Sequence, residues 1–249
     1  MLARKVAVAL SVLLGVACVQ PAQAAKVRVW EGTISIPTYL LGPDDPNPPF
    51  PLINQHNIYP YTSLDDLTDK LETKTYRAIY LENEYLKATI LPQMDGRVYS
   101  LYDKVGQREI FYRNNVIKYG MVGLRGAWIS GGIEFNFPNG HTTDTVSPVD
   151  SSFRQNPDGS STVAVGDTDQ VSNMHWEVAL TLRPGVAYLE QHVTLFNSTP
   201  LSKLYWWWAN AAVPAREDMQ FIYPMRLANP HCARVPHAPG RGQTRKSAG

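Results

Sequence analysis

From Tyr76 to Asn197, short aromatic and aliphatic runs recur between tight-turn signals, and this rhythm restricts the possible folds more than any other feature. Tyr76 to Leu81, Tyr85 to Leu91, Arg97 to Tyr102 and Ile110 to Arg113 are broken at Asn83-Glu84, Asp95-Gly96 and Gly106. Ser151 to Arg154 and Ser161 to Val165 flank Asn156-Pro157-Asp158-Gly159, where proline fixes φ and glycine accepts the left-handed region. Trp176 to Leu182 and Tyr188 to Asn197 make a further pair around Arg183-Pro184-Gly185. β-Branched and aromatic residues at this spacing predict an all-β chain, an antiparallel sandwich of hairpins.

Before this region the pattern is looser. Val27 to Ile36 alternates like a strand and is expected to end at Pro37. Pro43, Pro46, Pro48, Pro49 and Pro51 then stiffen an extended linker, read as a surface strap. Ser63, with an acid three residues on, resembles a helix cap, so one short helix is expected from Ser63-Leu64-Asp65-Asp66-Leu67 to before Thr73. Residues 25–75 thus precede a sandwich at 76–230.

Both ends differ from the body. Arg4 and Lys5 precede an apolar run, Val6 to Ala17, that is too short to span a bilayer, and Ala22-Gln23-Ala24 fits a small-x-small cleavage site. Residues 1–24 are read as a signal peptide, and the mature chain is expected to be periplasmic or secreted, with no membrane contact after cleavage. The alternative is a lipid anchor at Cys18. Once Cys18 is removed only Cys232 remains, so no intramolecular disulfide can form. Residues 231–249 carry four basic residues, no acid and no aromatic, which cannot build a core. They are read as a disordered or out-of-frame tail, so the sandwich is expected to be incomplete at its C-terminus.

The formal charge of +1 becomes −1 without Arg4 and Lys5, and −5 without the tail. A mildly acidic body without basic clusters argues against nucleic acid as a partner.

Chemistry concentrates between Arg125 and Asp144. In a strand over Ile133 to Phe137, Ile133, Phe135 and Phe137 share one face while Glu134 and Asn136 share the other. Asn139-Gly140 should reverse the chain as a hairpin and bring His141 and Asp144 back beside the strand, where an acid and a base can meet. A solvated turn with an idle histidine fits the same spacing. Three consecutive tryptophans form the second feature: Trp206, Trp208 and Asn210 share one face of a strand, Tyr205 and Trp207 the other. One set is expected in the core and the other in a groove, where indole faces and directional polar groups suit a sugar. Arg125, Trp128, Asn136, Asp144 and His175 complete the candidate ligand contacts, and Glu177 with Glu190 is read as a solvent-facing cross-strand pair. Metal-binding helical pairs, a phosphate-cradling glycine loop and a serine nucleophile elbow are absent, so no metal or other cofactor is expected.

Leu81-Glu82-Asn83-Glu84-Tyr85-Leu86, Ile90-Leu91-Pro92, Gly96-Arg97, Tyr102-Asp103-Lys104, the run from Gly126 to Pro138 with His141, and Trp206 to Pro214 together resemble an uncharacterised bacterial domain family. That family belongs to the galactose-mutarotase-like superfamily and often precedes tetratricopeptide repeats. The resemblance covers roughly Val27 to Pro230 and implies a β-supersandwich with a carbohydrate cleft on the concave face of one sheet. Mutarotases use a histidine acid and a glutamate base. The strand at Trp206 to Asn210 resembles the one that carries that histidine but has none, and the glutamate lies on a later strand, so the pair does not carry over. Glu134 and His141 are candidate substitutes as catalytic groups. The expectation is an exported carbohydrate-binding domain. The alternatives are a carbohydrate-active enzyme, epimerase or glycan-cleaving, and a non-functional truncated product.

Overall fold

A computed structural model describes residues 26–46, 58–220 and 222. The expected signal peptide with Cys18, the linker prolines from Pro48 onward, His56, Cys232 and the tail lie outside the described residues. The chain divides into a unit ending at Ala212 and a second beginning at Val213. In the second, a turn is closed by the Met219 N–H donating to the Arg216 carbonyl.

The described residues form strands and no helix: β1 (Arg28–Leu41), β2 (Leu67–Glu82), β3 (Leu86–Leu91), β4 (Arg97–Asp103), β5 (Arg108–Glu109), β6 (Gly120–Gly123), β7 (Gly126–Trp128), β8 (Ile133–Asn136), β9 (Asp150–Gln155), β10 (Ser161–Asp169), β11 (Met174–Leu182), β12 (Glu190–Asn197) and β13 (Trp208–Ala211). The larger sheet runs β1-β2-β3-β4-β8-β13, with β5 on β4, and a four-stranded sheet runs β12-β11-β10-β9. β6 and β7 make a separate ribbon. All strand pairs are antiparallel, and the fold is an all-β sandwich.

Alternation assigns each face. Ile79, Leu81, Ile90, Val98, Ile133 and Phe135 of the larger sheet meet Val163, Val165, Trp176, Val178 and Leu180 of the smaller one in the main core. Burying each such side chain stabilises the fold by roughly 1.5–3 kcal/mol. The opposite face of the larger sheet is also covered, by Ile36, Tyr76, Ala78, Leu91, Tyr99, Ile117 and Ile129. Between β3 and β4, Asp95 (φ 65°) and Gly96 (φ 63°) make a tight turn closed by the Arg97 N–H on the Met94 carbonyl at 3.1 Å. Aspartate and glycine tolerate that conformation, and the turn points the Asp95 carboxyl inward.

Several expectations are corrected. The short helix does not form, because Ser63 pairs with Asp45, and the Leu64 N–H and carbonyl bond Arg125 and Ala127. From Leu67 the chain zips onto β1, with Leu67 opposite Leu41 and Thr73 opposite Pro37. Likewise β1 does not stop at Pro37. The Pro37 carbonyl and the Tyr39 N–H both bond Ile117, so residue 37 turns its amide position away from β2 and the missing N–H costs that ladder nothing. Where a strand at Ile110 to Arg113 was expected, the strand is Arg108–Glu109, and beyond it single backbone bonds follow, from the Ile110 N–H to the Leu101 carbonyl and from the Tyr112 N–H to the Ala212 carbonyl. Glu177 lies opposite Thr194 and Glu190 opposite Thr181, so the two acids do not pair.

Candidate functional site

Strand parity places the polar members of β8 on the face away from the main core, yet Glu134 is only 2% exposed and Asn136 is fully buried. An ionised carboxylate has about four lone-pair positions, and Glu134 fills all of them. Oε1 accepts from His141 Nδ1 at 2.9 Å and Asn210 Nδ2 at 2.7 Å. Oε2 accepts from Trp128 Nε1 at 2.8 Å and Arg97 Nη2 at 3.3 Å. Burial pushes its pKa up, but the Arg97 charge and the hydrogen bonds from Asn210 and Trp128, with His141, outweigh it and hold Glu134 below the usual glutamate range. The group is therefore a charged hub.

The donors come from four elements. Val98 pairs with Ile133, which sets Arg97 at the start of β4 beside Glu134 on β8. Asn210 lies opposite Glu134 in the register of β13, and Trp128 ends β7. His141 arrives from the segment after β8. No strand returns there, so the expected hairpin is corrected to a loop; its fold is held by the Thr142 N–H on Asn136 Oδ1 and by Thr142 Oγ1 on the Phe137 carbonyl. Gly140 is not among the residues with positive φ. It is needed for space instead, since a Cβ there would overlap the Trp208 indole.

Because the ionised Glu134 accepts only, His141 donates to it through Nδ1, and Nε2 is the outer nitrogen of the ring. Nε2 makes no hydrogen bond among the described residues, and the side chain is 21% exposed. The imidazole lies between Trp128 (centroids 5.3 Å apart) and Trp208 (5.5 Å). Trp206, 56% exposed, packs on Trp208 at 5.1 Å. Trp207 turns the other way, stacks on Phe135 and meets Trp176 in the core.

Two site residues were not anticipated from sequence. Arg97, fully buried, also donates Nη1 to the Gly131 carbonyl at 2.6 Å. Asp95 lies behind it with both carboxyl oxygens free of hydrogen bonds, near the Phe135 N–H without closing on it. Burial holds Asp95 well above the usual aspartate range; Arg97 opposes this, while Asp144 and Glu134 add to it. A charged residue opening an apolar strand was the available signal for Arg97.

Three expected ligand contacts lie elsewhere, and a fourth, Asn136, lies opposite Trp208 but is fully buried. Arg125 bonds the Thr62 carbonyl and hydroxyl and Ser147, so it ties the preceding segment down. Asn136 spends its carbonyl on the loop. Asp144 lies buried under Trp176 Nε1 at 3.5 Å. His175 bonds Thr168 on the outer face of the smaller sheet, opposite Phe196. The geometry joins Glu134, His141, Trp128, Trp206, Trp208 and Asn210 into one constellation. Its chemistry is that of an oriented imidazole: with Glu134 saturated, proton exchange is open at Nε2 and closed at the carboxylate. The described residues contain no cluster of metal-ligating side chains.

Among solved structures, the chain is similar to a TPR-domain containing protein from Parabacteroides distasonis ATCC 8503. The TM-score is 0.71 and the identity 31%, over 78% of this chain and 33% of that one. The chain thus spans about a third of that protein's length. A family model described as "Domain of unknown function (DUF5107)" matches residues 53–242, which includes every member of the constellation. The chain belongs to this DUF5107 domain family.

Proposed function

We propose that the chain is an exported carbohydrate-binding domain of the galactose-mutarotase-like superfamily, and that the sugar lies on Trp206 and Trp208 with its hydroxyls on His141 and Asn210. The observation that carries this is Trp206: an indole 56% exposed, packed on Trp208, beside polar groups held by a buried carboxylate. Indoles left open to water next to oriented polar groups match the two sides of a pyranose, an apolar C–H face and a directional hydroxyl rim. The leader-like residues 1–24 support export. Calorimetric titration of a neutral glycan panel tests the reading. Binding that disappears in Trp206→Ala supports it, and a flat titration across the panel refutes it.

A second reading, a carbohydrate-active enzyme, draws on the Glu134–His141 hydrogen bond. Here His141 Nε2 exchanges the proton and Glu134 is a positioning residue, which revises the acid-and-base pair expected from sequence. Turnover of a bound glycan that is lost in His141→Gln while binding persists supports it. A bound panel with no turnover in the wild-type protein refutes it.

A further inference from the structure

The β1 edge of the larger sheet carries a second aromatic group, and two cations meet on it without an acid of their own. We infer that Arg28 and Lys87 form a subsite for the carboxylate or sulfate of an acidic glycan; the inference rests on the carbohydrate reading above. The two residues are distant in sequence, and strand register joins them: Arg28 lies opposite Glu82 on β2, and Glu82 lies opposite Lys87 on β3. Glu82 is engaged elsewhere, with its Oε1 accepting from Lys104 Nζ at 2.7 Å. Glu109, the next acid along this row, is spent on Arg113 and Ser100. Among the described residues, neither the Arg28 nor the Lys87 side chain makes an ion pair or a hydrogen bond. A mildly acidic body therefore holds a local surplus of positive charge that only the fold assembles.

Fixed rings hold these cations. The Arg28 guanidinium carbon lies 4.8 Å from the Trp30 centroid, and Lys87 Nζ lies 5.6 Å from the same ring and 5.1 Å from Tyr80. Trp30 and Tyr80 stack with centroids 5.2 Å apart. Tyr80 donates its hydroxyl to the Thr33 carbonyl at 3.0 Å, and its ring lies over Gly32, where a Cβ would stand 3.1 Å away. Arg28 is exposed, and Lys87, Trp30 and Tyr80 are partly exposed, so a ligand can reach the platform. A ring face holds a cation without using its N–H donors. An arriving carboxylate or sulfate thus finds two cations already placed, relieves their mutual repulsion and takes charge-assisted hydrogen bonds, two of them from the guanidinium edge. A neutral hydroxyl gains less there. Two cations match one or two acid groups, whereas a nucleic acid brings a charge at every nucleotide to a body that repels it. Four strand spacings, about 19 Å, separate β1 from Glu134 on β8, so this is a subsite apart from the Trp206 contact.

Calorimetry on the whole protein at low salt tests the inference with uronate, sulfated and neutral tetrasaccharides and an oligoglutamate peptide of equal charge. Wild type is compared with the Arg28→Gln, Lys87→Gln double variant. An acidic tetrasaccharide should bind at least tenfold more tightly than its neutral counterpart, and which acidic member does so separates carboxylate from sulfate. The double variant should lose that advantage while keeping the wild-type affinity for the neutral sugar and the wild-type unfolding midpoint. Acidic and neutral members binding equally, or an advantage that survives in the double variant, overturns the inference and leaves the carbohydrate reading standing. The peptide binding as tightly as the acidic sugars overturns it too, because charge alone would then suffice. Absence of binding by every tetrasaccharide overturns both.

Discussion

Asp144→Asn should stabilise the protein at neutral pH and leave it unchanged in acid. Asp144 is 2% exposed. Burial first, then the neighbouring Asp167, raises its pKa from 3.8 to about 7, with Trp176 Nε1 and Arg125 as weak compensation. The unfolded chain releases this proton near the ordinary value while the native protein keeps it, so between roughly pH 4 and 7 the native state binds more protons and stability falls as pH rises. The shift of about three pKa units corresponds to about 4 kcal/mol, absent near pH 4 and fully developed above pH 7. Asparagine copies the shape of the protonated acid and accepts from Trp176 without that cost. Urea unfolding followed by tryptophan fluorescence at pH 4.5, 6.0 and 7.5 checks this. The midpoints of variant and wild type should nearly coincide at the lowest pH and separate by more than about 1 M at the highest, given slopes of about 1–3 kcal/mol per molar urea. A separation independent of pH, or a variant less stable at pH 7.5, would show that the native state welcomes the Asp144 charge and that the argument from burial is wrong.

Arg97→Met strips the cation from Glu134 beneath the site and should cost about 3–5 kcal/mol, since the partner of a buried charge stays behind uncompensated; a loss under 1 kcal/mol in denaturant melts would contradict the hub description. Gly140→Ala sets a methyl into the Trp208 ring and should destabilise by about 1–3 kcal/mol while displacing the indole; unchanged Trp208 side-chain NMR signals would rule this out. The neighbouring indoles should separate cleanly. Trp207→Ala opens the core at Phe135 and Trp176 and should cost about 3–5 kcal/mol, whereas Trp206→Ala, which gives up its ring contact with Trp208, should cost about 1 kcal/mol and lose sugar binding. Equal destabilisation in thermal melts would refute the assignment of opposite faces.

Much of the sandwich is legible locally. Asp95-Gly96 and Asn156-Pro157-Asp158-Gly159 announce their turns because few residues accept those dihedrals, and strand parity separates Trp207 from Trp208 before any contact is known. The same parity puts Glu134 opposite Phe135, and the chain reversal after Pro138 brings His141 back to Glu134, through a loop where a hairpin was expected. The segment from Ser63 to Thr73 reads wrongly because a local cap and a distant strand compete for the same backbone groups. β1, Asp45, Arg125 and Ala127 take those groups, and none of them is near in sequence.

The sequence by itself determined the all-β class, the turns and which side chains share a face, since these follow from dihedral preferences and a two-residue period. Tertiary structure alone decided that Arg97 meets Glu134, that Asn210 and Trp128 saturate the same carboxylate, and that Arg125, Asp144 and His175 serve elsewhere. Those outcomes depend on strand order and register between segments tens of residues apart, where long-range pairing and the need to satisfy every buried charge outweigh local preference.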